Sequence, residues 1–456
     1  MINTNTFNVS QSLRQANPGA DLKQMAEKVK DEDGLIQLIV SAKNGDEVSA
    51  ANDFVNLTGA KNVERLDIID GFTADVTPEA FDKLVKEAPQ GVTITFDETV
   101  SVADPVELTR PEEMKEALGK HPSGAETAKP ELDVTLKTLG VEALWEQGYK
   151  GQGVTIAVID TGIAPHPDYN DRVTGFKDWV AGKTEHYDDQ GHGTHVAGCA
   201  QGDGTMSDGK YMGAAPLANL VGIKVLDKRG SGRLSDIIKG VNWAVDHKEE
   251  LGIDIINMSL GGPTFTNYQN DPVAQSVGKA VDAGIIAMVA GGNSGPKPST
   301  IGTPGNHPKA FTVGALNDGG TVTRDDDTVA FFSSRGPTAH DGLTKPDILS
   351  PGVAITAANA PGSALDHAPV PHVGQSYITI SGTSMATPVM AGVVASILSA
   401  NHDLTPAQVK EIFMGTADKL NTGDDGNSQG SGVVDPQEAL ARALALKNGG
   451  GGQNAA

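Results

Sequence analysis

Ser384 stands in the segment 381–388 (SGTSMATP), directly before the apolar run 389–398. The run predicts a buried helix, and Gly382 permits close backbone approach at its start. Free N–H groups and the helix dipole favour negative charge at a helix N-terminus. A serine hydroxyl that attacks a carbonyl needs this setting, because the attack creates an oxyanion beside it. We expect Pro388 in the first turn, where a missing N–H is tolerated. The alternative is a serine that only caps a core helix.

Asp160 and His192 are a candidate carboxylate and base for such a serine. Asp160 ends the apolar strand 154–159, and functional groups gather at the carboxyl ends of parallel strands. It could equally cap a turn. His192 lies among the glycines of the segment 191–198 (GHGTHVAG), where a cap or core role is the alternative. His195 follows three residues later, but a zinc site lacks a third ligand of suitable spacing.

Asn293 lies in the segment 290–295 (AGGNSG), just after an apolar strand. An asparagine among glycines is most often a turn residue. Its functional alternative is a side-chain amide that donates to an oxyanion.

The chain order Asp, His, Asn, Ser matches one solution to acyl transfer. Together with the segments 158–163 (VIDTGI), 191–198, 259–262 (SLGG) and 382–388, it resembles the subtilisin family of serine peptidases over about residues 134–445. The segments 187–192 (YDDQGH), 325–330 (DDDTVA) and 333–337 (SSRGP) resemble the AprX-type branch most closely. One departure is Gly291, where many relatives have alanine.

The resemblance implies a role for each of these residues. Ser384 is the nucleophile, His192 moves its proton, and Asp160 orients the imidazole. The Asn293 amide and the Ser384 backbone N–H form the oxyanion hole. The resemblance also implies two edges that pair with an extended substrate. A pocket for the residue before the scissile bond is implied as well. The substrate-binding residues are Gly230, Ser231, Gly232, Ser259, Leu260, Gly261, Gly262, Ala290, Gly291 and Gly292.

The sequence predicts an α/β protein in several parts. Residues 1–33 form an N-terminal extension with one helix. Residues 34–103 have the β-α-β-β-α-β order of a ferredoxin-like unit and resemble an inhibitory prodomain of the I9 type. Residues 104–131 are a linker, and the processing site falls between about Val102 and Glu131. Residues 132–445 are the catalytic domain, a subtilisin-like parallel sheet flanked by helices, and 446–456 a flexible tail.

The composition limits the classes of partner that the protein is expected to bind. The net charge of −23 argues against nucleic acid and anionic membranes. We expect polypeptide substrates, the chain's own prodomain as an intramolecular inhibitor, and a monomer. The first ten residues are polar and lack an apolar signal core, which predicts a cytoplasmic protein. Leaderless export, or a signal already removed, would give the same sequence.

The chain has one cysteine, Cys199, so no intrachain disulfide can form. A buried structural thiol is expected, and the alternative is a thiol behind His192 that makes the protein sensitive to mercurials. The chemistry needs no cofactor, but relatives often bind structural calcium. Candidate calcium ligands are Asp203, Asp208, Asp325, Asp326, Asp327, Asp424 and Asp425.

Three functions compete. The first is a serine endopeptidase made as an autoprocessing, prodomain-inhibited zymogen, whose activity rises with pH as His192 loses its proton. The second is a catalytically silent binding protein with a peptidase fold. The third is an esterase of the α/β-hydrolase type, whose nucleophile stands in a Gly-x-Ser-x-Gly elbow and whose chain order is Ser, Asp, His. Ser384 is instead followed by Met385 and Ala386, and the order of the candidate residues is reversed, which argues against this type.

Overall fold

A computed structural model describes residues 22–42, 47–86, 92–102 and 132–450. The predicted linker 104–131 therefore lies outside the described residues. The first of two units comprises α1 (Leu22–Lys28), β1 (Ile36–Ala42), α2 (Glu47–Thr58), β2 (Lys61–Leu66), a 3-10 turn (Asp67–Ile69), β3 (Gly71–Val76), α3 (Pro78–Leu84), β4 (Val92–Phe96) and β5 (Thr99–Ser101).

The first unit is an antiparallel sheet in the order β2-β3-β1-β4, with its helices on one face. Successive residues of a strand point to opposite faces. On β1, Leu38 and Val40 join a core with Phe54 and Phe81 of the helices. Ile39, between them, joins the core of the second unit. The central strand thus holds the helices with one face and the second unit with the other.

The last strand of the predicted β-α-β-β-α-β order is two strands in the structure, β4 and β5. β4 ends at Phe96, because the next residue, Asp97, turns towards the second unit. Its carboxylate accepts hydrogen bonds from the backbone N–H (2.9 Å) and the hydroxyl (2.7 Å) of Ser235. β5 then pairs with a strand of the second unit instead of its own sheet.

The second unit contains two sets of elements. Its strands are β6 (Thr155–Asp160), β7 (Val173–Asp178), β8 (Asn219–Lys224), β9 (Ser231–Arg233), β10 (Ile253–Met258), β11 (Ile286–Ala290), β12 (Phe311–Asn317), β13 (Thr328–Val329), β14 (Ile348–Pro351), β15 (Ile355–Ala358), β16 (His372–Val373) and β17 (Tyr377–Ile380). Its helices are α4 (Leu132–Leu139), α5 (Glu142–Glu146), α6 (His192–Gln201), α7 (Leu234–Asp246), α8 (Lys248–Leu251), α9 (Pro272–Asp282), α10 (Thr383–Leu398), α11 (Pro406–Thr416), α12 (Gly426–Gln429) and α13 (Pro436–Gly450), with 3-10 turns at Asn170–Arg172 and Thr205–Ser207.

An eight-stranded sheet forms the centre of this unit, in the order β13-β12-β11-β10-β6-β8-β7 with β14 beside β12. All these pairs are parallel except that of β13. Along β6, Ile156 and Val158 pack in the core that contains α6 and α10. Ala157 and Ile159 pack in the opposite core, with α7 and α9. Because both faces are covered, the strand is apolar throughout. The predicted α/β fold, a parallel sheet flanked by helices, is confirmed.

Two local predictions are wrong. α10 begins at Thr383, so Pro388 lies in its second turn and not in its first. Proline supplies no N–H, and the carbonyl of Ser384 therefore loses its helical donor. The hydroxyl of Ser259 donates to that carbonyl instead, at 2.9 Å.

The second wrong prediction is the start of the flexible tail at residue 446, because α13 continues to Gly450. Lys447 secures this end by donating to the carbonyl of Ala400 at 2.6 Å. Residues 451–456 lie outside the described residues. Within the described ranges, no helix combines the length and apolar character needed to cross a membrane.

Candidate active site

Asp160 and His192 form a buried hydrogen-bonded pair. Asp160 is the last residue of β6, and His192 is the first residue of α6. Nδ1 of His192 lies 2.8 Å from Oδ1 of Asp160, and the two side chains are 1% and 0% exposed. Because a carboxylate only accepts, Nδ1 carries the proton, and Nε2 of the neutral ring is an acceptor. Among the described residues Nε2 has no partner.

The backbone at His192 is fixed by the residues that precede it. Gly191 caps the helix in a left-handed conformation with φ of +106°, which favours glycine. Oε1 of Gln190 accepts from the backbone N–H of His192 at 2.7 Å. The buried carboxylate of Asp188 accepts from the N–H of Gly191 at 2.7 Å. The imidazole is thereby held in place against Asp160.

Ser384 is the second residue of α10 and contacts Ser259, which follows β10. Its hydroxyl donates to the carbonyl oxygen of Ser259 at 3.1 Å. β10 and β6 are neighbouring parallel strands, so Ser384 lies at the same sheet edge as Asp160 and His192. In this state its hydroxyl is paired with Ser259 and not with His192.

The side chain of Asn293 is oriented by Thr383, the residue before Ser384. Oδ1 of Asn293 accepts from the backbone N–H (2.9 Å) and the hydroxyl (2.8 Å) of Thr383. Nδ2 of the same amide is buried and has no partner among the described residues. An amide donor is thus left unused beside the N-terminus of α10, where the helix dipole also favours an anion.

A cleft of 510 Å³ adjoins Asn293. It is lined by seven of the predicted substrate-binding residues, namely Ser259, Leu260, Gly261, Gly262, Ala290, Gly291 and Gly292. Residues 299–303, which the sequence did not predict, also line the cleft. The other three predicted residues are Gly230, Ser231 and Gly232. They lie on β9 and in the loop before it, which pair with the segment that contains β5.

β5 of the first unit lies between two edges of the second unit. On one side it pairs antiparallel with β9, with Val100 opposite Gly232 and Ser101 opposite Ser231. Beyond β5, the N–H of Val102 donates to the carbonyl of Gly230 at 2.8 Å. On the other side Ser101 forms an antiparallel bridge with Gly261. The two predicted substrate edges therefore hold an extended segment of this chain.

His195 and Cys199 are buried side chains that pack in the interior. His195 is fully buried, and its Nε2 lies 3.2 Å from the carbonyl oxygens of Ile355 and Ile378. Burial, followed by the nearby His192, lowers the pKa of His195 to about 3, so its ring is neutral. Cys199 is buried as predicted, with its Sγ 3.5 Å from Nδ1 of His195. Burial raises the pKa of its thiol.

Several candidate calcium ligands have other partners. Asp203 accepts from the backbone N–H and hydroxyl of Thr205. Asp424 pairs with Arg335 at 3.1 Å, and Asp425 caps α12. In the described part of the chain, no group of three or more His, Cys, Asp or Glu side chains is placed to hold a metal ion. Calcium stays a prediction for these residues.

Sequence reasoning missed the residues that orient the site. Gln190 and Asp188 stand within the segment 187–192, but nothing in the local sequence indicates that their side chains turn back to the start of α6. Thr383 adjoins Ser384 in sequence, whereas its partner Asn293 is 90 positions away. A polar residue beside a functional motif is the only signal that could have indicated these contacts.

Comparison with known proteins identifies the family. The subtilase family of peptidases (S8) matches residues 151–432. Serine protease AprX of Bacillus subtilis is 51% identical over 300 residues, 64% of this chain and 67% of that protein. Subtilisin E of the same species is 39% identical over 303 residues, 65% and 68% of the two chains.

Among solved structures, fervidolysin from Fervidobacterium pennivorans, a keratinolytic enzyme related to subtilisin, superposes with a TM-score of 0.66 at 23% identity. The match covers 90% of this chain and 62% of that one, and it supports the fold alone. The family match and the two close relatives carry the assignment further. This chain belongs to the subtilase family of serine peptidases, and within that family it resembles the AprX type.

Proposed function

We propose that the chain is a serine endopeptidase that acts through Asp160, His192 and Ser384 and is made as a self-processing, prodomain-inhibited zymogen. The observation that carries the chemistry is the buried 2.8 Å pair of Asp160 and His192. That pair leaves Nε2 of His192 as an unpartnered acceptor at the sheet edge where Ser384 lies.

The hydroxyl of Ser384 has to change partner for reaction. At rest it donates to the carbonyl of Ser259. On turning to Nε2 of His192, it gives up its proton as the oxygen attacks the substrate carbonyl. Asp160 keeps the proton on Nδ1 and stabilises the imidazolium that forms. His192 then protonates the leaving amine, and water hydrolyses the acyl-enzyme by the same route.

The unpaired Nδ2 of Asn293 and the backbone N–H of Ser384 are the proposed donors to the oxyanion. Both lie at the start of α10, and Thr383 holds the Asn293 amide so that its nitrogen is the free end. The donors are in place before charge develops, so little reorganisation is needed during the reaction.

The zymogen proposal rests on β5, which occupies both substrate edges. The first unit adds apolar contacts, since Leu66, Ile69 and Val100 belong to the core of the second unit. Asp97 supplies the cap that the N-terminus of α7 otherwise lacks. Residues 34–102 would thus block the cleft as an intramolecular inhibitor, using main-chain pairing that is largely independent of side chains.

The register of β5 predicts the processing site. Ser101 is paired with Gly261, and numbers in an antiparallel register add to a constant. In a substrate segment that kept this register, residue 103 would stand opposite Ser259. Since Ser259 contacts Ser384, we expect cleavage of the bond after Ala103, a residue outside the described ranges.

Intact mass over time, with a chromogenic peptide added, tests this proposal on the wild type and on Ser384→Ala. We expect the wild type to lose its first 103 residues and gain peptidase activity, while the variant stays whole and silent. Ser396→Ala, which removes a buried hydroxyl from the same helix, is the matched control and should process normally.

Each other outcome has a defined meaning. Cleavage elsewhere within 104–131 would keep the zymogen and reject the register argument. If the wild type does not process itself, and stays inactive after a trace of active protease has removed the first unit, the chain is a silent binding protein.

A further inference from the structure

A lysine side chain is completely buried at the end of β8, beside the proposed catalytic pair. Lys224 is the last residue of β8 and stands opposite Asp160, the last residue of β6, in the parallel register of the two strands. Its side chain is 0% exposed. Removing a charged ammonium from water is costly unless the group is paired and hydrogen-bonded, so this position requires specific partners.

The three N–H groups of this ammonium all have partners. Nζ of Lys224 donates to the carbonyl oxygens of Thr161 at 2.5 Å and Leu226 at 2.8 Å. It also donates to Oδ1 of Asp189 at 2.8 Å. Asp189 supplies the compensating charge, although its own side chain is 43% exposed. Because an ammonium has three donors and no acceptor, its hydrogen-bonding capacity is used completely.

Two of these partners hold Asp160. Thr161 follows Asp160, and its backbone N–H donates to Oδ1 of the Asp160 carboxylate at 2.7 Å. The hydroxyl of Thr161 accepts from the N–H of Gly193 at 2.9 Å, which ties the strand end to the first turn of α6. The N–H of Leu226 donates to the carbonyl of Asp160 at 3.2 Å. The ammonium therefore fixes the backbone on both sides of the carboxylate.

The third partner, Asp189, brings the segment before His192 to the same ammonium. Asp189 stands between Asp188 and Gln190, whose contacts fix the start of α6. The ring of Tyr187, in the same segment, has its centroid 5.1 Å from the ammonium nitrogen. One cation thus connects the strand end that carries the carboxylate with the segment that leads to the base.

Stability alone does not account for such a lysine, because replacing a buried ion pair by apolar side chains of similar volume is often neutral or stabilising. The second unit contains a comparable lysine, Lys345, which is 2% exposed. Its ammonium donates to the carbonyl of Ala310, the hydroxyl of Thr312 and the carboxylate of Asp347. None of these three partners adjoins a proposed catalytic residue in the sequence. Lys345 is therefore a matched control for a role that is structural only.

We infer that Lys224 is a positioning residue for the peptidase chemistry, an inference that rests on the proposed function. Its three hydrogen bonds hold Asp160 and His192 in place relative to each other. Its charge also favours the neutral form of the imidazole, which is the form that acts as a base. The carboxylate of Asp189 opposes this charge only in part, because solvent screens a half-exposed group.

Kinetics of the processed enzyme test the inference on Lys224→Met, with Lys345→Met as the control. Protease immobilised on beads removes the first unit from every variant, and an acylating reagent that titrates Ser384 counts the competent sites. A misplacement of about 1 Å can cost about 10²-fold in rate, so Lys224→Met should lower kcat per competent site about 10- to 100-fold. Lys345→Met should change the melting temperature and leave this kcat unaltered.

The pH profile is a readout that a purely structural lysine would not move. Loss of the positive charge in Lys224→Met should move the rising limb of kcat/KM to higher pH by about 0.3–1 unit. Asp189→Asn leaves that charge without its counter-charge, so it should move the limb to lower pH. The other titratable groups near the imidazole include Asp160, Asp188 and the neutral His195, and they are the same in every variant.

Two results would overturn the inference. The first is a Lys224→Met variant whose kcat per competent site matches that of Lys345→Met. The second is a rising limb that stays in place, or moves in the same direction, in Lys224→Met and Asp189→Asn. If Lys224→Met does not fold, the half-exposed Asp189 decides, and an unmoved limb in Asp189→Asn rejects the inference. Failure of the proposed function is distinguishable, because the processed wild type would then itself be inactive.

Discussion

Replacing Gly262 by alanine should loosen the proposed inhibitory contact of the first unit without altering the proposed catalytic residues. A Cβ at Gly262 would lie 2.8 Å from Cγ1 and 3.6 Å from Cβ of Val100, and no other atom comes within 4 Å. Ordinary carbon contacts are about 3.5–4.0 Å. Because valine is stiff at χ1, Val100 cannot turn away, and its strand has to shift.

The size of the effect follows from this overlap. Overpacking by one methyl group costs about 1–3 kcal/mol. Since about 1.4 kcal/mol is a factor of ten, the cleaved first unit should bind roughly 5- to 150-fold more weakly. Val100→Ala alone removes two methyl groups, about 1.6 kcal/mol or roughly 15-fold. In the Gly262→Ala background the same change should cost far less, because it also removes the overlap.

The assay uses the complex that the protein itself makes. Diluting the processed enzyme through a concentration series and measuring peptidase activity gives the dissociation constant of the cleaved first unit. A short ester substrate that does not reach Gly262 is the control, and its turnover should not change. If Gly262→Ala leaves the dissociation constant unaltered, or Val100→Ala costs the same in both backgrounds, the placement of Val100 against Gly262 is refuted.

Three other predictions concern the site and its inhibitor. Asn293→Ala should lower kcat about 10²- to 10³-fold with little change in KM, measured on a chromogenic peptide, and an effect on KM alone would contradict its role at the oxyanion. Burial raises the pKa of Asp236 to about 6, in surroundings that include Asp97 and Glu64 of the first unit as well as Arg233 and Lys239. Release of the first unit should lower the pKa of Asp236, so that binding of the first unit takes up a proton. The dissociation constant of the cleaved first unit should therefore be about tenfold smaller at pH 5 than at pH 8. Asp236→Asn should flatten this dependence. Ser259→Ala should destabilise the protein by about 1–3 kcal/mol, because it leaves the carbonyl of Ser384 unpaired. Adding Pro388→Ala, which restores a helical N–H donor, should recover part of that loss in denaturant unfolding.

The sequence predicted what depends on local pattern. The apolar strand before Asp160 and the glycines around His192 and Ser384 are local features, and the structure places them at one sheet edge. The break after Phe96 was not predicted, because the group that causes it, Ser235, belongs to another unit. A strand pattern contains no information about a partner 138 positions away.

The burial of Asp327 is a second feature that the sequence could not predict. A run of three aspartates, 325–327, is visible in the sequence, but its members differ in kind. Asp327 is buried, whereas Asp325 is exposed, and Asp327 is the one that adjoins the two-residue strand β13 where it pairs with β12. Strands so short carry no periodic signal, so neither their register nor the burial that follows from it can be read beforehand.

Ser259 links the proposed substrate edge to Ser384, the proposed nucleophile, and this link would bring a bound peptide to Ser384 in a fixed position. Both of its polar groups contact Ser384, since its carbonyl accepts from the Ser384 hydroxyl and its own hydroxyl donates to the Ser384 carbonyl. Two residues further on, Gly261 pairs with the extended segment in the cleft. The segment from Ser259 to Gly261 would therefore set both the register of the bound peptide and the position of the proposed nucleophile. A small movement of this edge would carry both together, so the distance between the nucleophile and the carbonyl it attacks would be preserved.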